Sequence, residues 1–170
     1  LRSSPSSVRA AFVYDASAET SGWVFAHEMG RRHVEEVFGS RVTTTARERV
    51  RPQEAEEVIR SLIADGWDVI FTASPVFLHS ITKVSVEFPQ VKILNCSLMA
   101  TYHHIRSYYL RMFEAKFITG MIAGVVARDG RIGYVADYPI YGAPANINAF
   151  ALGARAVNPE AKIYLTWSCL

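Results

Sequence analysis

The 170-residue sequence has only two cysteines, Cys96 and Cys169, too few and too far apart for a zinc motif or a disulfide framework, so both read as free structural thiols. Long apolar runs are missing too. The charge-free apolar stretch Phe117–Ala127 is eleven residues, against the roughly 20 that a membrane span needs. No block of one charge exists. The 18 Lys and Arg are interspersed with 16 Asp and Glu for a net of +2, which excludes a protein that holds nucleic acid mainly through phosphate contacts. There is no tandem repeat, and low complexity is confined to residues 1–7, Leu-Arg-Ser-Ser-Pro-Ser-Ser, which have no apolar signal core and read as a flexible linker.

Several catalytic signatures are also absent. The loop after the first apolar run is Asp15-Ala16-Ser17-Ala18-Glu19 rather than Gly-x-Gly-x-x-Gly, so the dinucleotide fingerprint is missing. Neither a Walker A lysine motif nor a Gly-x-Ser-x-Gly elbow occurs. The third strand runs into Thr72, where a phosphoacceptor domain would need an aspartate. His27 and His33 lie about 240° apart around a helix, and the adjacent His103 and His104 have no carboxylate or cysteine at ligand spacing, so the histidines read as surface or hydrogen-bonded groups. Glu35, Glu36, Glu54, Glu56 and Glu57 read as solvated helix faces. The expectation is a protein that is not an enzyme and uses no metal or cofactor.

Apolar residues make up 50% of the chain and charged ones 20%, a globular composition that can bury roughly 70% of its unfolded surface at this length. Val8–Tyr14 reads as a buried strand and Gly22–Phe38 as an amphipathic helix, with Val24, Met29, His33 or Val34, and Val37 inward and Gly39 as its stop. Arg41–Thr45 reads as a strand. The next helix starts at Pro52 and carries Val58, Ile59, Leu62 and Ile63 up to Gly66. Asp68–Phe71 and Lys92–Asn95 are further strands, with a helix between them that runs to Phe88. A long helix from about Tyr109 to Ala127 follows, in which Gly120 and Gly124 permit close approach of another element. Then Ile132–Ala136, Ala145–Val157 and Lys162–Trp167 repeat strand, helix and strand. Such alternation predicts a doubly wound parallel α/β sheet.

Ligands of such sheets sit outside the carboxyl ends of the strands. Those ends carry Tyr14 and Asp15, then Trp23; Thr72, Ser74 and Phe77; Asn95; and in the last part Asp137, Tyr138 and Tyr141. Aromatic faces with neutral polar groups suit a flat, neutral ligand, because such faces stack on bases. Trp23 and Phe77 read equally well as packing aromatics.

Five stretches in order resemble the basic membrane protein family, the PnrA-like purine or nucleoside receptors of ABC transporters. They are Gly22–Arg31 (GWVFAHEMGR); Asp68–Ser74 (DVIFTAS) with Phe77; Arg111–Gly120 (RMFEAKFITG); Arg131–Ala136 (RIGYVA); and Asn148–Ala154 (NAFALGA) with Asn158-Pro159. The resemblance implies a type I periplasmic-binding fold, two α/β lobes that close on a ligand. By motif position it makes Trp23 and Phe77 base-stacking residues, sets Ser74, Tyr108 and Glu114 near the cleft, and moves an acidic base contact to Glu19.

The expected organisation is a linker at 1–7, an amino-terminal α/β lobe at 8–107, and the start of a second α/β lobe at 108–170. The family's two-lobe fold needs further strands, so the chain is expected to be a piece that lacks half of the cleft and binds weakly or not at all. The ligand-binding expectation covers Asp15, Glu19, Trp23, Ser74, Phe77, Tyr108, Glu114 and Tyr138. The function implied is a purine or nucleoside receptor, extracytoplasmic or lipid-anchored, that feeds an ABC transporter permease. The alternative is a ligand-sensing domain fused to a cytoplasmic regulatory module.

Overall fold

Six residues rich in small and β-branched side chains, Val8–Val13, form strand β1, on which the first half of the chain assembles. The computed structural model describes residues 7–97, 104–137, 139 and 142–169, which fall into two compact units, Leu1–Tyr109 and Leu110–Leu170. In the first unit β1 lies between β2 (Val42–Arg47) and β3 (Val69–Thr72), with β4 (Lys92–Cys96) and β5 (Ile105–Tyr108) beyond β3. All four pairings are parallel. The connections carry helices α1 (Gly22–Phe38), α2 (Ala55–Ala64) and α3 (Leu78–Glu87).

Alternate side chains of this sheet enter two separate cores. Ala11, Val13, Ile70, Ile93 and Ile105 pack with Ile59 and Leu62 of α2 and Ile81 and Val84 of α3. Ala10, Phe12 and Tyr14 pack with Val24 of α1. The doubly wound α/β arrangement expected from the sequence is therefore present. Only Ser7 of the expected linker is described, and it is exposed.

Several features depart from the sequence expectation, among them α2, which begins at Ala55 rather than at Pro52. Residues 105–108 form a fifth parallel strand, and the helix expected from Tyr109 begins at Met112 instead. Helix α1 has the expected bounds but buries a different face. Val24 and Glu28 are its buried residues, whereas Met29 and Val37 are exposed. Its inward seam is Val24, Glu28, Arg31 and Glu35, spaced four, three and four apart, and its polar members find partners on one another and on Thr44 of β2. Ser21 caps the helix by accepting from the Val24 N–H at 3.3 Å, and Gly39, at φ 53°, ends it by donating to Glu35.

The second unit pairs β6 (Arg131–Ala136) with β7 (Lys162–Trp167) in parallel and packs α4 (Met112–Val126) on α5 (Ala143–Val157). The glycines singled out in the sequence lie in that helix contact. A β-carbon on Gly120 would strike the Phe150 carbonyl, one on Gly124 would stand 2.5 Å from the Ala154 carbonyl oxygen, and one on Gly153 would strike the Phe117 carbonyl. The face of α4 away from α5 leaves Ile118, Ile122 and Val125 exposed. Among the described residues no helix is long and apolar enough to cross a membrane.

Gly120→Ala and Gly153→Ala are expected to destabilise the second unit by about 1–3 kcal/mol each through overpacking. Gly30→Ala, at a position of α1 with nothing within 4 Å, should stabilise the chain by roughly 1 kcal/mol. Urea denaturation of the three variants checks both signs.

Candidate functional site

Parallel strands deliver their carboxyl ends to one edge. Tyr14 after β1, Thr72 to Ser74 at the end of β3, Asn95 and Cys96 of β4, and Tyr108 of β5 share that edge in the first unit. Helix α1 starts there too, and its second residue is tied to the sheet. The Trp23 indole N–H donates to the Ala73 carbonyl at 2.7 Å, which holds the ring beside the end of β3 while 37% of the residue stays exposed.

Around that indole runs a continuous series of rings. Phe12 stacks on Phe71 at 4.7 Å, Phe71 meets Tyr108 edge-on at 5.9 Å, Tyr108 meets His27 at 6.0 Å, His27 lies 5.1 Å from Trp23, and Trp23 lies 6.4 Å from Tyr109. These offset and edge geometries are the ones aromatic quadrupoles favour. His27 Nδ1 is 2.9 Å from the Trp23 carbonyl one helical turn back.

Polar groups at the edge fall into two sets. On the α1 side, the buried Glu28 carboxylate accepts from Arg31 at 2.6 and 2.8 Å, from Arg32 at 3.0 Å, and from the Tyr14 hydroxyl at 3.5 Å. Hydrogen bonding from Arg31 outweighs burial and holds this carboxyl below its ordinary range. Burial, followed by the charge of Glu28, pushes the Tyr14 phenol up, and burial does the same to Tyr108, so both stay neutral. On the α2 and α3 side, fully buried Asn95 donates from Nδ2 to Thr72 Oγ1 at 2.5 Å and to the Ser74 carbonyl at 2.9 Å. Its Oδ1 is buried without a hydrogen-bond partner, and the Tyr108 hydroxyl is buried against the Cys96 thiol. The charges of Glu28, Arg31 and Arg32 are thus paired with one another, and the edge presents an aromatic surface with a few neutral polar atoms beside the exposed Asp15.

Residues 7–168 match the family model of the PnrA-like substrate-binding proteins of ABC transporters. The chain belongs to that family. Among the relatives of this PnrA-like chain, a purine-binding protein of Brucella abortus is 30% identical over 161 residues, which cover 94% of the chain and 46% of the relative. A putative ABC transporter glucose-binding protein of Haloferax volcanii is 32% identical over 160 residues, 94% of the chain and 41% of the relative. The PnrA-like chain therefore spans about half the length of the curated relatives it matches. Among solved structures, an ABC transporter solute-binding protein from Conexibacter woesei superposes with a TM-score of 0.69 at 20% identity, covering 95% of the chain and 55% of that protein. A transcriptional activator of the comK gene from Bacillus halodurans gives 0.74 at 18% identity, covering 94% and 53%. At these identities the likeness is one of fold: the PnrA-like chain carries the α/β lobe of the periplasmic solute-binding proteins and a second, smaller α/β unit.

The residues expected at the site are only partly brought together. Trp23 and Tyr108 lie in the ring series, and Ser74 sits beside them at the end of β3, buried, with its hydroxyl accepting from the Val76 N–H at 3.4 Å. Phe77 is a correction. It is fully buried in the core between the sheet and α3, so neither ring face is free to stack on a base; Pro75 opens a single 3-10 turn that carries Phe77 inward. Asp15 and Glu19 are exposed in the loop before α1, and Glu19 lies 3.9 Å from Arg49. Glu114 belongs to the second unit, where it pairs with Arg111 at 2.5 Å. Tyr138 lies outside the described residues, and so does Tyr141. Sequence reasoning passed over His27, Tyr109 and Phe71. The signal for His27 was its place one turn after Trp23, on the same helix face.

Glu28 gives a pH test. Its carboxyl lies below the ordinary value of 4.5 in the folded chain, so its stabilisation is complete above that value and is lost as pH falls through the lower, folded one. Glu28→Gln is expected to cost roughly 2 kcal/mol near neutrality and to flatten the loss of stability below about pH 4 to 5, measured by thermal melting across that range.

Proposed function

We propose that the chain is the ligand-holding part of a non-enzymatic, extracytoplasmic receptor that delivers a purine base or nucleoside to an ABC importer. One observation carries this reading: an indole locked to the sheet by its own N–H, partly exposed, and backed by His27 and Tyr109 at the carboxyl edge of a parallel sheet. Base–aromatic stacking contributes roughly 1–3 kcal/mol per base and makes no demand for charge. The internal neutralisation of Glu28 by Arg31 and Arg32 fits an uncharged ligand. Family membership supports transport, and the purine-binding relative supports the ligand class. The fold is shared with a transcriptional activator and does not by itself separate transport from sensing; the family match favours transport.

A sugar is the second reading, favoured by the name of the Haloferax relative. Isothermal titration with adenine, adenosine, guanosine, inosine and glucose separates the two, with ligand-detected NMR covering weak binding. Purines are expected to bind weakly, in the range that ligand-detected NMR reads, and glucose not to. Trp23→Ala should lose roughly 1–3 kcal/mol of purine affinity with the fold intact, whereas Phe77→Ala should act on stability, by about 3–5 kcal/mol. Binding of glucose alone reassigns the ligand, and unchanged affinity in the Trp23 variant removes the stacking role.

A further inference from the structure

We propose that His27 reads the edge of the stacked ligand through a bare Nε2 acceptor, so that the site selects a flat heterocycle bearing an in-plane N–H donor. This rests on the ring series being the ligand platform.

The tautomer follows from one contact. His27 Nδ1 lies 2.9 Å from the Trp23 carbonyl oxygen, and a carbonyl has only lone pairs to offer, so Nδ1 carries the hydrogen. A neutral imidazole has a single N–H, which leaves Nε2 as an acceptor. Among the described residues Nε2 has no hydrogen-bond partner. The ring is half-buried among Tyr14, Trp23 and Tyr108, with centroids 6.3, 5.1 and 6.0 Å away. Neighbouring polar groups do not compete for it, since the Tyr14 hydroxyl donates to Glu28 and the Glu28 carboxylate accepts from Arg31 and Arg32.

A second polar group lies beside it. The Tyr108 hydroxyl is buried next to the Cys96 thiol, and the Tyr108 ring meets that of His27 edge-on. One group that only accepts and one that donates or accepts form a complement to a heterocycle edge on which an N–H adjoins a ring nitrogen or carbonyl. His27 flanks the indole at a 53° tilt, so a ring stacked on Trp23 lies at that same tilt to the imidazole.

The test has a part that needs no ligand. In long-range ¹H–¹⁵N spectra of the labelled chain, His27 in its neutral form should show protonated Nδ1 and bare Nε2; the opposite tautomer overturns the proposal. With ligands, the probes are adenosine, inosine and purine riboside, the last of which has neither the amino group nor the lactam N–H. His27→Phe should weaken adenosine and inosine about five- to tenfold, the loss of one hydrogen bond, and leave purine riboside within about twofold. His27→Gln, whose amide oxygen accepts, should retain most of the affinity, and circular dichroism of both variants checks the fold. Equal losses for all three probes, or no loss for any, overturn the proposal while the purine reading stands. Absence of binding of all three to the unaltered chain overturns the purine reading and this ligand class with it.

Discussion

Parallel pairing is the constraint from which the rest of the first unit follows. Strands that all run one way cannot be joined by tight hairpins, so each connection must cross a face of the sheet and cover it. With β1 in the interior of the sheet and helices on both faces, residues 10 to 13 of that short strand and Tyr14 just after it feed two cores by simple alternation. The same constraint gathers Tyr14, Ser74, Asn95 and Tyr108 at one edge although they are spread over some ninety residues of sequence. The indole of Trp23 then fastens α1 to that edge through a backbone carbonyl, a partner that any residue at position 73 would provide.

Much of this was legible from spacing and composition, and the failures share a physical cause. Strands 69–72 and 92–96 and the helix over 22–38 announce themselves by branched apolar runs, an amphipathic spacing and a stop. β5 does not: Ile105-Arg106-Ser107-Tyr108 has a single β-branched residue and becomes a strand because β4 offers it a free edge, a tertiary reason invisible locally. The orientation of α1 was misread because apolarity was taken as the inward signal, while the helix buries Glu28, turns Arg31 inward beside it and exposes Met29. A hydrophobic pattern does not register a charged seam that is satisfied by its own members.

The candidate site shows the same division. Residue types at strand ends pointed to the right edge and to Trp23, since topology alone brings those ends together. Which aromatic faces outward is decided by packing, and Phe77 shows how little its proximity to a strand end says: one 3-10 turn suffices to deliver it to the core. His27 was weighed as a metal ligand and set aside, yet its value lies in a main-chain contact that no motif encodes.

The glycines of α4 and α5 have a mechanical consequence. Packed helices ordinarily slide over one another by exchanging side-chain neighbours, each small step absorbed by rotamer changes. Where Gly120, Gly124 and Gly153 bring main chain against main chain, there is no layer of rotamers to absorb a slip. At those three positions the placement of one helix on the other is set by main chain alone, with no room for a side chain between them.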